Sequence, residues 1–368
     1  MNGKPELPVR KSSWEGEEQT HVRARTIKPP ALARALRDTL DMQSASALFL
    51  GELARQATVP EARKLLFDLA RIEQLMSLEI DAMVGQLTDS PLPDRPSKHI
   101  VGIKTAPEWS HLRLITFEQA IAMALDCTRR AAHFLTDMAA QLDGPALDFF
   151  LTLAQSDEDR AAMLENSLDR RLKELTAGQD VRRVLAETLD AVRHAGKAYA
   201  WIARRTSRAR TREFLEGMQE VCALHAANIQ GLMGDTTIDV EDPVFEGLAA
   251  ATAPALDCPV EDLDFEAALR MAMHAQKRAA LVHGMLARAF PGEEAQQLLD
   301  IADAERRHAA TVASVLDRIA PHDDLEDTLS PSLAHAPRES WTCPAIPMVK
   351  TAESDDDVAP PSLRLVVG

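Results

Sequence analysis

Two tetrads in the C-terminal half carry residue types that bind metal ions: Cys222-x-x-His225 and Glu305-x-x-His308. Both fall in stretches with apolar residues at i, i+3, i+4 and i+7, the pattern of an amphipathic helix. Residues i and i+3 of a helix share one face, so both side chains of a tetrad can be aimed at one ion. One thiolate, two imidazoles and one carboxylate suit a single zinc or iron ion. An ordinary reading competes with this one. An inward Cys is commonly a small buried hydrophobe, and His225 and His308 can be hydrogen-bonded core residues. His274 and His283 lie close to Gln276, and His283 shares its face two turns on. In the N-terminal half the corresponding tetrads read Glu73-x-x-Met76 and Asp157-x-x-Arg160. These keep two carboxylates and no histidine. A guanidinium does not give up its proton and cannot ligate a cation. Arg160 is therefore expected to pair with Glu73 and Asp157 as an internal counter-ion; a register shifted by one residue would instead turn it to solvent.

The elements that carry these residues are all helical. Eight long helices are expected in four hairpins, at about 31–58 and 61–87, 116–142 and 145–175, 179–206 and 208–233, and 264–290 and 292–319. Pro60, Pro145 and Pro291 mark three of the four turns, as suits a residue tolerated in the first turn of a helix and not in its interior. The hairpins repeat one another. Their second helices read LARIEQLMSLE, LAQSDEDRAAMLE, MQEVCALHAANI and IADAERRHAATVASVL, and their first helices align on Gln43, Thr128, Val192 and Gln276. Gln43 and Thr128 are spaced as Val192 and Gln276 are (128 − 43 = 85; 276 − 192 = 84). A larger unit is thus used twice, at 30–176 and 177–320, each with two hairpins joined by a long crossover. Residues 1–29 read as a flexible arm and residues 321–368 as a flexible tail.

A hairpin, a long crossover and a second hairpin make the ferritin-like kind of four-helix bundle. The second-helix signatures resemble the rubrerythrin branch of the ferritin-like superfamily over roughly residues 31–319, with IADAERRHAATVASVL the nearest to its pattern. The resemblance implies an all-α fold of two tandem ferritin-like four-helix bundles. In that family the first and third helices each supply a Glu and the second and fourth each supply Glu-x-x-His to a di-iron centre. Carried over, the first unit has Gln43, Glu73-x-x-Met76, Thr128 and Asp157-x-x-Arg160 at those positions. The second has Val192, Cys222-x-x-His225, Gln276 and Glu305-x-x-His308. No complete di-iron centre is expected in either. What remains is a candidate site for one Fe or Zn ion built from Cys222, His225, Glu305 and His308.

Composition narrows the function classes. The formal charge is −16, and an acidic chain repels phosphate backbones, which argues against nucleic acid. Against that trend, Arg204, Arg205, Arg208, Arg210 and Arg212 crowd one turn, either as a solvated face or as an anion or partner patch. The four cysteines form no CxxC pair, which fits a reduced, cytoplasmic protein. No secretory h-region and no membrane-spanning apolar stretch is read. Met42, Met76, Met163, Met218, Met271 and Met273 are expected as core filler. No Ser-His-Asp order, P-loop or dinucleotide turn appears. Two readings follow. One is a degenerate rubrerythrin-like protein holding a single metal ion in its second unit for metal handling or redox protection; any activity would be that of a metal-dependent oxidoreductase. The other is a metal-free scaffold or adaptor, free to form homo-oligomers, that binds protein partners with 321–368 as a docking segment. That tail carries two short apolar segments, 341–349 and 362–368, around the acidic run 353–357.

Overall fold

The computed structural model describes residues 29–97, 100–177, 179–234 and 243–319. The expected tail at 321–368, and the N-terminal arm apart from Pro29, lie outside these residues. Among the described residues there are nine α-helices and no strand. They are α1 (Pro29–Gln56), α2 (Pro60–Leu87), α3 (Phe117–Ala139), α4 (Gly144–Thr176), α5 (Val181–Arg205), α6 (Ala209–Met233), the short α7 (Leu248–Thr252), α8 (Phe265–Ala287) and α9 (Glu293–Ile319). The strongest packing is within four antiparallel pairs: α1 with α2, α3 with α4, α5 with α6, and α8 with α9. The eight long helices lie within a few residues of the bounds that periodicity predicts; α7 carries no such signal.

Local chemistry explains where the helices begin. Thr116 and Gln119 form a capping box at the start of α3, and Asp264 accepts from the Ala267 amide at 2.7 Å at the start of α8. Each satisfies amides that the helix itself cannot. Pro60 and Pro145 sit in first turns, where no backbone donor is needed. Gly144 (φ +56°) and Gly292 (φ +83°) supply the left-handed backbone that two of the hairpin turns require.

The helices divide into two kinds. Helices α3, α5 and α8 are buried around much of their circumference, and their many alanines let neighbours approach closely. By contrast α2 buries only a stripe, Ala62, Leu66, Leu69, Glu73, Met76 and Ile80. The largest apolar cluster draws on both halves of the chain, from Leu50 through Trp109, Tyr199 and Leu248 to Ile301. The crossovers take part in it. Arg278 of α8 is buried, and its fork donates to three backbone carbonyls: Ala251 (2.9 Å), Glu108 (2.6 Å) and Ala253 (2.6 Å). One guanidinium thereby ties both crossovers to a central helix. Met163 departs from the core role expected of it: at 71% exposure it stands on the surface of α4, because its position lies off the narrow stripe that α4 buries.

Candidate functional site

Four buried polar residues of the first half, Gln43, Glu73, Lys104 and Asp157, form one network with Arg160. Glu73 of α2 and Asp157 of α4 face each other from buried positions, as the shared stripe of each helix requires. Arg160 lies one turn past Asp157 and bridges both carboxylates through Nη1, at 2.8 Å to Glu73 Oε1 and 2.9 Å to Asp157 Oδ1. Its Nη2 lies 2.8 Å from the Met76 sulfur. The counter-ion expected at Arg160 is therefore present. A second cation joins it that the helical pattern did not point to. Lys104, in the first crossover just after a 3-10 turn at Ile100–Gly102, is 2% exposed. Its ammonium contacts Glu73 Oε2 at 2.8 Å, Asp157 Oδ1 and Oδ2 at 2.9 and 3.0 Å, and Gln43 Oε1 at 3.0 Å. An ammonium has three donors; those of Lys104 bond Gln43 on α1 and Asp157 on α4, and Glu73 of α2 is held as an ion pair.

Two cations thus face two carboxylates, and their formal charges cancel. Burial pushes the Glu73 carboxyl above its ordinary value, against the opposing pull of Lys104 and Arg160. Gln43 and Thr128, at the aligned first-helix positions, are buried, and Gln43 serves as an acceptor for Lys104. Both carboxylates are thus ion-paired with cations from the chain itself.

In the second half the expected residues are placed around Glu305 of α9. Glu305 is 3% exposed. His283 Nδ1 lies 2.7 Å from its Oε2, and His225 Nδ1 lies 3.6 Å from its Oε1. Burial pushes the Glu305 carboxyl up, but the two imidazoles outweigh it and hold the carboxyl below its ordinary value. Glu305 is therefore an acceptor, and His283 Nδ1–H must be the donor. That leaves His283 Nε2 buried with no hydrogen bond among the described residues. The His225 and His308 rings stack with centroids 6.0 Å apart and planes 16° apart. His308 Nδ1 also lacks a hydrogen bond among the described residues, and burial lowers the His308 pKa. Cys222 is buried, and burial pushes its thiol up to about 12, so it is protonated. It lies against α5 at Gly196, where an added Cβ would come 3.3 Å from its own.

The four expected ligands are thus brought to one region but not around one point. Glu305 is shared between His225 and His283, His308 stacks on His225, and Cys222 remains a thiol against α5. Among the described residues no group of three or more His, Cys, Asp or Glu side chains is placed to hold a metal ion. The other aligned positions, Val192 and Gln276, are buried. Gln276 lies beside the Tyr199 phenol, whose pKa is raised by burial. Neither the phenol nor Gln276 Oε1 makes a hydrogen bond of ordinary geometry among the described residues.

Three of the four cysteines, Cys127, Cys222 and Cys258, are free thiols; Cys343 lies outside the described residues. Among the described residues no helix is long and apolar enough to cross a membrane. The chain matches no family model, and comparison with curated proteins and with solved structures found no match.

Proposed function

We propose that this protein is a helical scaffold that works by binding another protein, and that its ferritin-like helix pattern no longer serves metal chemistry. The observation that carries this reading is the pairing of Glu73 and Asp157 with the buried Lys104 ammonium and the Arg160 guanidinium. Internal cations hold the carboxylates that a metal would need. Such a network fixes the mutual position of α1, α2, α4 and the first crossover, which is a structural task.

The surface supports the partner-binding half of the reading. Opposite its buried stripe, α2 presents Phe67, Arg71, Leu75, Leu78 and Ala82 at helical spacing. Leu78 is 61% and Leu75 51% exposed, and Leu48 of α1 is exposed as well. Glu79 and Asp81 flank this face. On a chain of charge −16, the fitting occupant is an amphipathic helix of another protein, apolar along one stripe and basic beside it. A photo-crosslinker at position 75 of the full chain, in its own cells, should give a discrete adduct to such a segment. Glu79→Lys with Asp81→Lys should weaken it. An adduct yield no higher than from an exposed polar position such as Gln155 would contradict the proposal.

A second reading rests on the second half. Among the described residues His283 Nε2 and His308 Nδ1 have no hydrogen-bond partner, and His283 Nδ1 pairs with the buried Glu305. A modest rearrangement of His225, Glu305 and His308, with or without Cys222, would let one Zn or Fe ion bind, for metal handling or redox protection. The presence of metal in the purified chain separates the two readings.

A further inference from the structure

The arginine cluster that stands out in the sequence lies at the turn between α5 and α6. Arg204, Arg205, Arg208, Arg210 and Arg212 are all exposed, and among the described residues none of the five is in an ion pair. Several are nevertheless held in place. The Arg205 guanidinium lies 4.2 Å over the Trp201 ring, Arg210 lies 3.9 Å over the Phe265 ring, and Arg212 Nη2 donates to the Thr206 carbonyl at 2.9 Å. Stacking and hydrogen bonding of this kind orient a guanidinium without neutralising it. The first turn of α6 adds to the positive field, because its N-cap, Arg208, makes no side-chain cap bond.

The end of α9 arrives at the same place. Leu269 of α8 and Val312 and Leu316 of α9 form a small buried cluster, against which Phe214, Phe265 and Ile319 pack. The Phe214 and Phe265 rings meet edge to face at 5.9 Å. Phe265 is the ring under Arg210, and Phe214 is one turn into α6 from it. Ile319 is the last residue of α9. Four residues further along the chain begins the run Asp323-Asp324-Leu325-Glu326-Asp327. Four extended residues span at most about 14 Å. The acidic run is therefore tethered near an arginine cluster that makes no ion pair among the described residues.

We propose that the Arg204–Arg212 turn is an anion-binding surface whose resident occupant is the chain's own segment Asp323–Asp327. Four carboxylates then lie across five guanidiniums, and the tether raises the effective concentration of the segment far above that of a competing ligand. Docked there, the segment would neutralise a basic surface able to attract a polyanion.

Protease cleavage of the full chain tests this directly. Endoproteinase Glu-C can cut after Glu326, inside the docked run, and after Glu353, further along the tail. Each rate is compared with that of a free peptide of the same local sequence. In low salt, cleavage after Glu326 should be slowed about tenfold or more relative to its peptide, because a docked segment is cut only when it opens, while Glu353 should show no such protection. The protection should vanish at ~1 M salt, where the screening length is about 3 Å. It should also vanish in the variant Arg204→Ser, Arg208→Ser, Arg210→Ser, provided its helical signal and melting temperature match the parent. Neutralising the run by Asp323→Asn, Asp324→Asn and Asp327→Asn keeps Glu326 cleavable and should speed it equally. Cleavage after Glu326 at the free-peptide rate in the parent chain, or protection that survives the arginine substitutions, would overturn the proposal.

Discussion

Lys104→Met is the substitution on which the account of the first half turns. The methionine keeps much of the lysine's length and removes its charge. Glu73 and Asp157, 2% and 0% exposed, would then share the single Arg160 guanidinium, leaving one buried negative charge in excess and Gln43 Oε1 without its donor. Removing one member of a buried ionic network costs about 3–5 kcal/mol. At roughly 2–4 °C per kcal/mol for a unit of this size, the melting temperature should drop on the order of 10 °C. Thermal unfolding followed by circular dichroism at neutral pH measures it. The deficit should shrink in acid. The Glu73 carboxyl is already raised by burial, and losing a cation raises it further, so protonation removes the excess charge as the pH falls. Adding Asp157→Asn to Lys104→Met should recover a large part of the loss, because charge balance returns. A single-variant loss within about 0.5 kcal/mol, the range of an ordinary surface change, would refute the buried-network reasoning. So would a double variant that is merely the sum of the two single ones.

Two further outcomes follow from other buried groups. Arg278→Ala should cost about 3 kcal/mol or more, since three buried carbonyls lose their donor, and Arg278→Lys should rescue little, because an ammonium lacks the guanidinium's fork; chemical denaturation of the three proteins checks both. His274 has its pKa lowered to about 4 by burial, with Lys277 and Arg278 adding to the effect. Its folded pKa lies below its unfolded one, so the stability it contributes is present above about pH 6.5 and is lost as the pH falls towards 4. A melting-temperature profile over that window should slope downward toward acid, and His274→Gln should flatten it.

The helical frame is legible in the sequence because its signals are local. Periodicity, the prolines at 60, 145 and 291, and the tetrad spacing are enough to put Glu73, Asp157 and Arg160 on inward faces. Lys104 is not legible in this way. It stands in a crossover, where no periodicity distinguishes an inward residue from an outward one, and its partners are 53 and 61 residues away in sequence. A lysine in a Pro- and Ser-rich loop ordinarily faces water; only the charge imbalance of two inward carboxylates against one guanidinium hints that one cation is too few. The bond between His283 and Glu305 is half visible. The spacing from Gln276 puts His283 on the right face, but the tetrad pattern directs attention to His308, which stacks on His225 instead. Arg278 is hidden for another reason: its acceptors are backbone carbonyls, which carry no residue-type signature.

The central claim is that internal contacts have taken over the residues that would hold metal. Elemental analysis of the purified full-length chain, after exposure to iron and zinc and removal of loosely bound ions, tests it most directly. The account predicts no transition metal in stoichiometric amount, and the same result for His225→Ala with His308→Ala. One ion per chain in the parent, lost in that double variant, would contradict it and establish the second half as a metal site.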